Sequence, residues 1–210
     1  MRRAIALLTL LAAAACQPPT APVPGPPTRA PGPTPPGPTP PPRVDAPSTS
    51  ASAPVSTASA PGDADPLVGK PAPDFTTTAQ DRTSVHLAAL AGKPVVLYFY
   101  PKDETPGCTT EACSFRDAWN QLAAKGVVLI GISADTLDSH KEFTEHWKLP
   151  FLLVSDPDGS IAKKYDVPFE GMHKRQTVVI GADGIVRKVY RKVDVAVHAQ
   201  QVLADLSPSP

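Results

Sequence analysis

The 210-residue chain carries 20 basic and 20 acidic residues, so its formal net charge is zero. This balance does not provide the basic surface that nucleic-acid binding requires, and the length allows one ordinary domain plus an additional segment. The three cysteines, Cys16, Cys108 and Cys113, are too few for a disulfide scaffold and lack metal-ligand spacing. The five histidines also lack that spacing, and no glycine-rich phosphate loop is present, so we expect no metal or cofactor.

Residues 1–16 have the layout of an export signal. Met1-Arg2-Arg3 is basic, and residues 4–15 are apolar but shorter than the ~20 residues that span a bilayer. The run ends at Ala13-Ala-Ala-Cys16, which resembles the lipobox of bacterial lipoproteins, although the usual leucine is Ala13 here. We therefore expect lipid on Cys16, and Gln17 favours the outer membrane by the same resemblance. Simple cleavage into the periplasm, with Cys16 incidental, is the other interpretation.

Residues 17–66 are dominated by proline, with 18 of the chain's 28 prolines. Large apolar residues are almost absent, so this segment cannot bury enough surface to offset the entropy of ordering. We predict a disordered, extended tether between a membrane anchor and a folded domain. The membrane contact would then be through the N-terminal lipid only.

Residues 67–210 alternate apolar runs with amphipathic stretches. Buried strands are predicted in four segments, and a turn at Ala182-Asp183-Gly184 predicts a hairpin partner after the last of them. The strands are Val95–Tyr100, Val127–Ile132, Phe151–Val154, Thr177–Ile180 and the hairpin partner Ile185–Tyr190. Helices are predicted at Thr110–Lys125, Leu137–Trp147 and Val195–Leu206. This alternation predicts an α/β fold with a mixed, mostly parallel central sheet flanked by helices.

Cys108 lies between a buried strand and the start of a helix, with Pro106 and Gly107 in the turn. A helix N-terminus presents unpaired N–H groups and the positive end of the backbone dipole, and both favour the nucleophilic thiolate. Thr105, three residues earlier, is close enough to place its hydroxyl beside the sulfur. A buried, inert cysteine is the alternative.

Cys113 follows Cys108 by five residues in the same predicted helix. Five residues rise about 7.5 Å along an α-helix, and a disulfide needs Cα atoms within about 7 Å. The two cysteines can therefore bond only if the first turns unwind, which suits a reaction cycle. A core position for Cys113 is the other interpretation.

The pattern Pro101-x-x-x-Thr105-x-x-Cys108 resembles the peroxiredoxin active site, and Thr105–Cys113 resembles the PrxQ, or bacterioferritin comigratory protein, subgroup. The resemblance extends over 67–206 and includes Val68–Phe75 and Tyr98–Pro101. It implies a thioredoxin-like fold and a thiol-dependent peroxidase that uses no metal or cofactor.

The resemblance also implies a role for each matching residue. Cys108 corresponds to the peroxidatic cysteine and Cys113 to the resolving cysteine. Thr105 corresponds to the residue that hydrogen-bonds the peroxide, and Arg175 to the arginine that stabilises thiolate and peroxide. The supporting residues are Pro101, which shields the sulfur, Gly107 in the turn, and Glu111, which orients Arg175. Without the resemblance, Arg175 would be interpreted as a solvated charge beside Lys174.

The implied reaction takes hydrogen peroxide or an organic hydroperoxide to water or an alcohol. A Cys108–Cys113 disulfide would form, and a thioredoxin-like dithiol protein would reduce it; the subgroup is usually monomeric. Two other functions are a thiol–disulfide oxidoreductase of the envelope, which normally has Cys-x-x-Cys, and a non-catalytic envelope lipoprotein.

Overall fold

The computed structural model describes residues 65–206. They begin with a small antiparallel hairpin, β1 (Thr76–Thr78) and β2 (Ser84–His86), and a short 3₁₀ helix at Leu87–Leu90. The predicted export signal, Cys16 and all but the end of the proline-rich tether lie outside the described residues.

A five-stranded mixed sheet follows, with the strand order β5-β4-β3-β6-β7. The strands are β3 (Val95–Phe99), β4 (Val128–Ser133), β5 (Leu152–Ser155), β6 (Gln176–Ile180) and β7 (Val186–Tyr190). Every residue of β3 and β6 is buried, as expected for central strands covered on both faces.

Five α-helices within residues 65–206 cover the sheet. They are α1 (Pro106–Asp117), α2 (Trp119–Ala124), α3 (Leu137–Trp147), α4 (Ser160–Lys164) and α5 (His198–Asp205). Side chains alternate along β3, so Val96 and Tyr98 enter the core beneath α1, α2 and α5. Leu97 and Phe99 point into the opposite core, which includes α4 and the β1–β2 hairpin.

The predicted strands and α3 are confirmed to within about two residues at each end. The prediction of one helix at Thr110–Lys125 is wrong, because α1 starts earlier, at Pro106, and the helical stretch is divided at Ala118. A proline is well suited to a first helical position, since its missing N–H has no partner there. The small β1–β2 hairpin and α4 were not predicted.

The sheet contains more antiparallel pairing than the sequence predicts. β3 pairs in parallel with β4, and β4 with β5, but β6 runs antiparallel to both β3 and β7. The predicted hairpin is thus confirmed as β6–β7. Because β6 is antiparallel to β3, the residues just before β6 lie beside the carboxyl end of β3, where α1 begins.

Within residues 65–206, no helix is long and apolar enough to cross a membrane. The same part of the chain contains no cluster of three or more histidine, cysteine or acidic residues arranged to hold a metal ion.

Candidate active site

Cys108 is the third residue of α1 and lies just beyond the carboxyl end of β3. Its side chain is buried, with 1% of the residue exposed, and it is a free cysteine. The N–H of Thr109 donates to the carbonyl of Thr105 at 2.8 Å, so the N–H groups of Gly107 and Cys108 precede the helix's own hydrogen bonds. The sulfur therefore lies at the positive end of α1.

Arg175 brings a positive charge to this sulfur from the segment before β6. Its Nη2 donates to Cys108 Sγ at 3.1 Å, and its Nη1 donates to Glu111 Oε2. Burial acts to lower the pKa of Arg175, but the neighbouring Glu111 and Cys108 outweigh burial and raise it. A fixed guanidinium against a cysteine sulfur is an arrangement that stabilises thiolate. The interpretation of Arg175 as a solvated surface charge does not fit this position.

Glu111 lies one turn after Cys108 in α1 and forms an ion pair with Arg175. Its side chain is fully buried, and Oε1 has no hydrogen-bond partner. Burial raises the pKa of Glu111 to about 7, although Arg175 acts to lower it. The carboxyl group is therefore close to half-ionised at neutral pH.

His198, at the start of α5, faces the free oxygen of Glu111. Its Nε2 lies 4.0 Å from Glu111 Oε1 and 2.8 Å from Thr177 Oγ1. Burial lowers the pKa of His198 to about 4, so the ring is neutral near pH 7. Sequence reasoning missed this residue, because nothing in the pattern of α5 distinguishes a buried polar histidine from a helix-face residue.

The loop between β3 and α1 carries Pro101 and Thr105, both partly exposed. The Thr105 hydroxyl donates to the carbonyl of Lys102 at 2.9 Å and makes no cap bond to α1. Its expected place beside the sulfur therefore stays a prediction. Gly107 lies close to Arg175, since an added Cβ would be 3.4 Å from Nη2.

A second buried polar cluster fixes this loop from the other side. Asp103 accepts hydrogen bonds from the Tyr100 hydroxyl at 2.7 Å and the Ser139 hydroxyl at 2.8 Å, and it contacts His140 Nδ1 at 2.8 Å. The other ring nitrogen of His140 lies 3.2 Å from the carbonyl of Val154. Both ring nitrogens of His140 therefore have a polar partner within the buried cluster.

Cys113 lies in α1, as predicted, and is 2% exposed. The continuous helix places Cys108 and Cys113 five residues apart, so their Cα atoms are too far apart for a disulfide. The structure thus gathers Cys108, Glu111 and Arg175 directly, with Thr105 on the neighbouring loop. It does not bring Cys113 to Cys108 while α1 is wound.

An apolar cavity with a volume of about 270 Å³ lies at the other end of the sheet. Its lining includes Pro71, Leu87 and Val95 but neither Cys108 nor Arg175. The Cys108 sulfur therefore lies at the N-terminus of α1 and outside this cavity.

The known proteins that resemble this chain belong to one family. The profile of the AhpC/TSA family matches residues 68–189. A putative peroxiredoxin bcp of Coxiella burnetii is 42% identical over 148 residues, which are 66% of this chain and 97% of the Coxiella protein. The chloroplastic peroxiredoxin Q of Oryza sativa subsp. japonica is 46% identical over 125 residues, 58% of each chain, so this chain spans a little over half of that relative.

Solved structures resemble the described fold. The Xanthomonas campestris bacterioferritin comigratory protein, studied for its alkyl peroxide reduction activity, aligns with a TM-score of 0.59 at 36% identity. The alignment covers 63% of this chain and 89% of that protein. This likeness confirms the predicted thioredoxin-like α/β fold.

Proposed function

The chain belongs to the AhpC/TSA family and is a thiol-dependent peroxidase of the peroxiredoxin Q type, and we propose that Cys108 is its peroxide-attacking residue. The observation that carries this proposal is the 3.1 Å contact between Arg175 Nη2 and Cys108 Sγ at the N-terminus of α1. Arg175 and the free N–H groups together supply positive charge where both the thiolate and the peroxide oxygens are negative.

In the first step, the Cys108 thiolate attacks one oxygen of the hydroperoxide and the O–O bond breaks. The leaving oxygen takes a proton and departs as water or an alcohol, and Cys108 becomes a sulfenic acid. Arg175, the α1 N–H groups and the Thr105 hydroxyl would hold the peroxide in line with the sulfur. Pro101 would shield the sulfur, and Glu111 would keep the guanidinium in place. Both hydrogen peroxide and organic hydroperoxides are proposed substrates, the latter in line with the Xanthomonas relative.

In the second step, α1 unwinds and Cys113 attacks the sulfenic sulfur. A Cys108–Cys113 disulfide forms and water leaves. A thioredoxin-like dithiol protein then reduces the disulfide by thiol exchange, so two electrons from the reductant restore both thiols. We propose that the enzyme works as a monomer, since both cysteines lie in one helix.

We further propose that the enzyme is exported and anchored by lipid on Cys16, with residues 17–66 as the tether. The basic start, the short apolar run and the Ala-Ala-Ala-Cys16 sequence support this proposal. The site would then act in the periplasm or at the outer membrane, where an envelope dithiol protein must serve as reductant.

The central proposal is tested by the rate of hydrogen peroxide consumption with a dithiol reductant. Cys108→Ser should abolish turnover, whereas Cys113→Ser should still consume the first equivalent of peroxide. Turnover at the wild-type rate in Cys108→Ser would contradict the proposal. A simple thiol–disulfide oxidoreductase would instead exchange thiols without consuming peroxide.

The anchoring proposal is tested by growth with radiolabelled palmitate. Label should enter the wild-type protein and be lost in Cys16→Ala. Export without label would contradict lipidation and leave simple cleavage as the processing route.

A further inference from the structure

Glu111 lies on α1 between the two cysteines that must meet. We propose that Glu111 has a role in the resolving step, in which its buried carboxylate favours the unwinding of α1 that lets Cys113 reach Cys108. This inference rests on the proposed function, because it concerns the disulfide-forming half of that cycle.

The first argument is the poor solvation of Glu111 in the wound helix. Its side chain is fully buried, and only Oε2 has a partner, the Arg175 guanidinium. Oε1 faces His198 Nε2 at 4.0 Å, beyond hydrogen-bond distance, and has no other partner. A buried carboxylate with an unpaired oxygen is unfavourable, because water would have bonded both oxygens.

The surrounding charged and titratable groups do not remove this penalty. Arg175, before β6, is the one cation that pairs with Glu111 among residues 65–206, and its Nη2 is also directed at Cys108. His198 on α5 is neutral near pH 7, because burial lowers its pKa to about 4. Tyr98 on β3 is a buried phenol whose pKa burial raises, with Glu111 adding to the effect. Cys108, three residues earlier on α1, shares the Arg175 guanidinium with Glu111.

The second argument is the geometry of disulfide formation. The α-helix keeps residues five apart about 7.5 Å along its axis, and the Cα atoms must come within about 7 Å. The segment from Cys108 to Cys113 must therefore leave the helical conformation, and Glu111 lies within it. Unwinding this segment removes the carboxylate from its buried site and gives both oxygens access to water.

The direction of the pH effect follows from these two states. In the wound helix the pKa of Glu111 is about 7, against an ordinary value of 4.5 when solvated. A carboxyl whose pKa is raised in one state disfavours that state as pH rises through the window between the two values. Between about pH 4.5 and 7, rising pH should thus shift the balance from the wound dithiol towards the unwound disulfide. Below this window the carboxyl is neutral in both states and exerts no bias.

The test is the equilibrium constant for Cys108–Cys113 disulfide formation in a dithiothreitol redox buffer, measured by alkylation and mass spectrometry. The full chain with Cys16→Ser removes the third thiol from every protein compared. The constant for the protein with Glu111 is divided by that for Glu111→Gln at each pH. This ratio should rise about thirtyfold from about pH 5.5 to about pH 8, the linkage expected for the two pKa values.

The matched control is Glu145→Gln, which removes an exposed carboxylate on α3 and should leave the pH dependence unchanged. A second measurement needs no change at Glu111. Carbon-13 NMR of the Glu111 carboxyl should titrate near pH 7 in the reduced protein and near pH 4.5 in the disulfide form.

Parallel pH curves with and without Glu111, or equal NMR midpoints in the two redox forms, would overturn the inference while the peroxidase function stands. If no Cys108–Cys113 disulfide forms at any pH, the proposed resolving reaction fails and this inference fails with it. A pH-dependent ratio together with a shifted NMR midpoint would support both the resolving reaction and the role of Glu111 in it.

Discussion

Two buried polar clusters lie on either side of the loop that leads into α1, and they differ in how well their groups are paired. We call the first the reactive cluster and the second the loop anchor. The reactive cluster comprises Cys108, Glu111, Arg175 and His198, and the loop anchor comprises Tyr100, Asp103, Ser139 and His140.

In the loop anchor, both oxygens of Asp103 and both ring nitrogens of His140 have hydrogen-bond partners. In the reactive cluster, Glu111 Oε1 has none. A fully paired buried network makes a structure rigid, whereas an incompletely paired one is held by the fold around it and often marks a functional site. We therefore expect the anchor to keep the loop in place while the reactive cluster changes charge and conformation.

The largest expected effect is on the reactive cluster's sulfur. Cys108→Ser should lower peroxide turnover by at least about 10³-fold, because the hydroxyl is a far weaker nucleophile than a thiolate. Stopped-flow peroxide consumption measures the loss, and urea unfolding should show that the protein remains folded. A loss of less than tenfold would mean that the reaction occurs elsewhere.

The next effect tests the guanidinium. Arg175→Met should lower the second-order rate constant with hydrogen peroxide by about 10²–10³-fold, since it removes the cation that contacts Sγ. Arg175→Lys should recover part of this loss, because it keeps the charge but lacks the paired donors. The control is Lys174→Met, at the exposed neighbouring position, which should react as the wild type does.

A substitution in the loop anchor should lower the stability of the protein more than its reactivity with peroxide. His140→Leu removes a buried hydrogen-bond partner of Asp103, and we expect a loss of about 1–3 kcal/mol in the free energy of unfolding. Urea denaturation measures this loss. Peroxide reactivity per folded molecule should fall far less than in Arg175→Met, and an equal fall would show that the two clusters are not separate in role.

The matched comparison is the exposed pair His86 and Asp74, where the side chains are about half exposed. His86→Leu should change the free energy of unfolding by less than about 1 kcal/mol, as for surface pairs generally. A loss of unfolding free energy in His86→Leu as large as that in His140→Leu would show that burial is not the reason for the loop anchor's contribution to stability.

The smallest effect is expected at Thr105. Thr105→Val should lower the rate constant with hydrogen peroxide by roughly tenfold, because the hydroxyl would supply one hydrogen bond to the peroxide. Thr105→Ser should retain most of the activity. Equal rates in all three proteins would show that the bond to the Lys102 carbonyl is the only role of this hydroxyl.

The sequence predicted the parts of this structure that depend on local pattern. Apolar runs located the five strands of the main sheet, and the Pro101–Cys113 motif singled out Cys108, which lies against Arg175 in the structure. The start of α1 at Pro106 was missed because the turn residues were assigned to the loop. The break at Ala118 has no proline or glycine beside it, so the sequence contains no marker for it.

Contacts between residues that are far apart in the sequence were harder to predict. The contacts of Arg175 with Cys108 and Glu111 depend on β6 running antiparallel to β3, and only the family resemblance indicated a role for Arg175. His198 and the Asp103–His140 pair join residues tens of positions apart, and isolated histidines in helices carry no pairing signal. The pKa of Glu111 likewise depends on burial that only the packed structure provides.

The most direct measurement is mass spectrometry of the protein after one equivalent of hydrogen peroxide. In Cys113→Ser, one oxygen should be found on Cys108 as a sulfenic acid that a cyclic diketone traps. In the wild type, a peptide with the Cys108–Cys113 disulfide should appear instead, with the loss of two hydrogen atoms. First oxidation at Cys113, or an unmodified Cys108 after the peroxide is consumed, would contradict the assignment of Cys108 as the attacking residue.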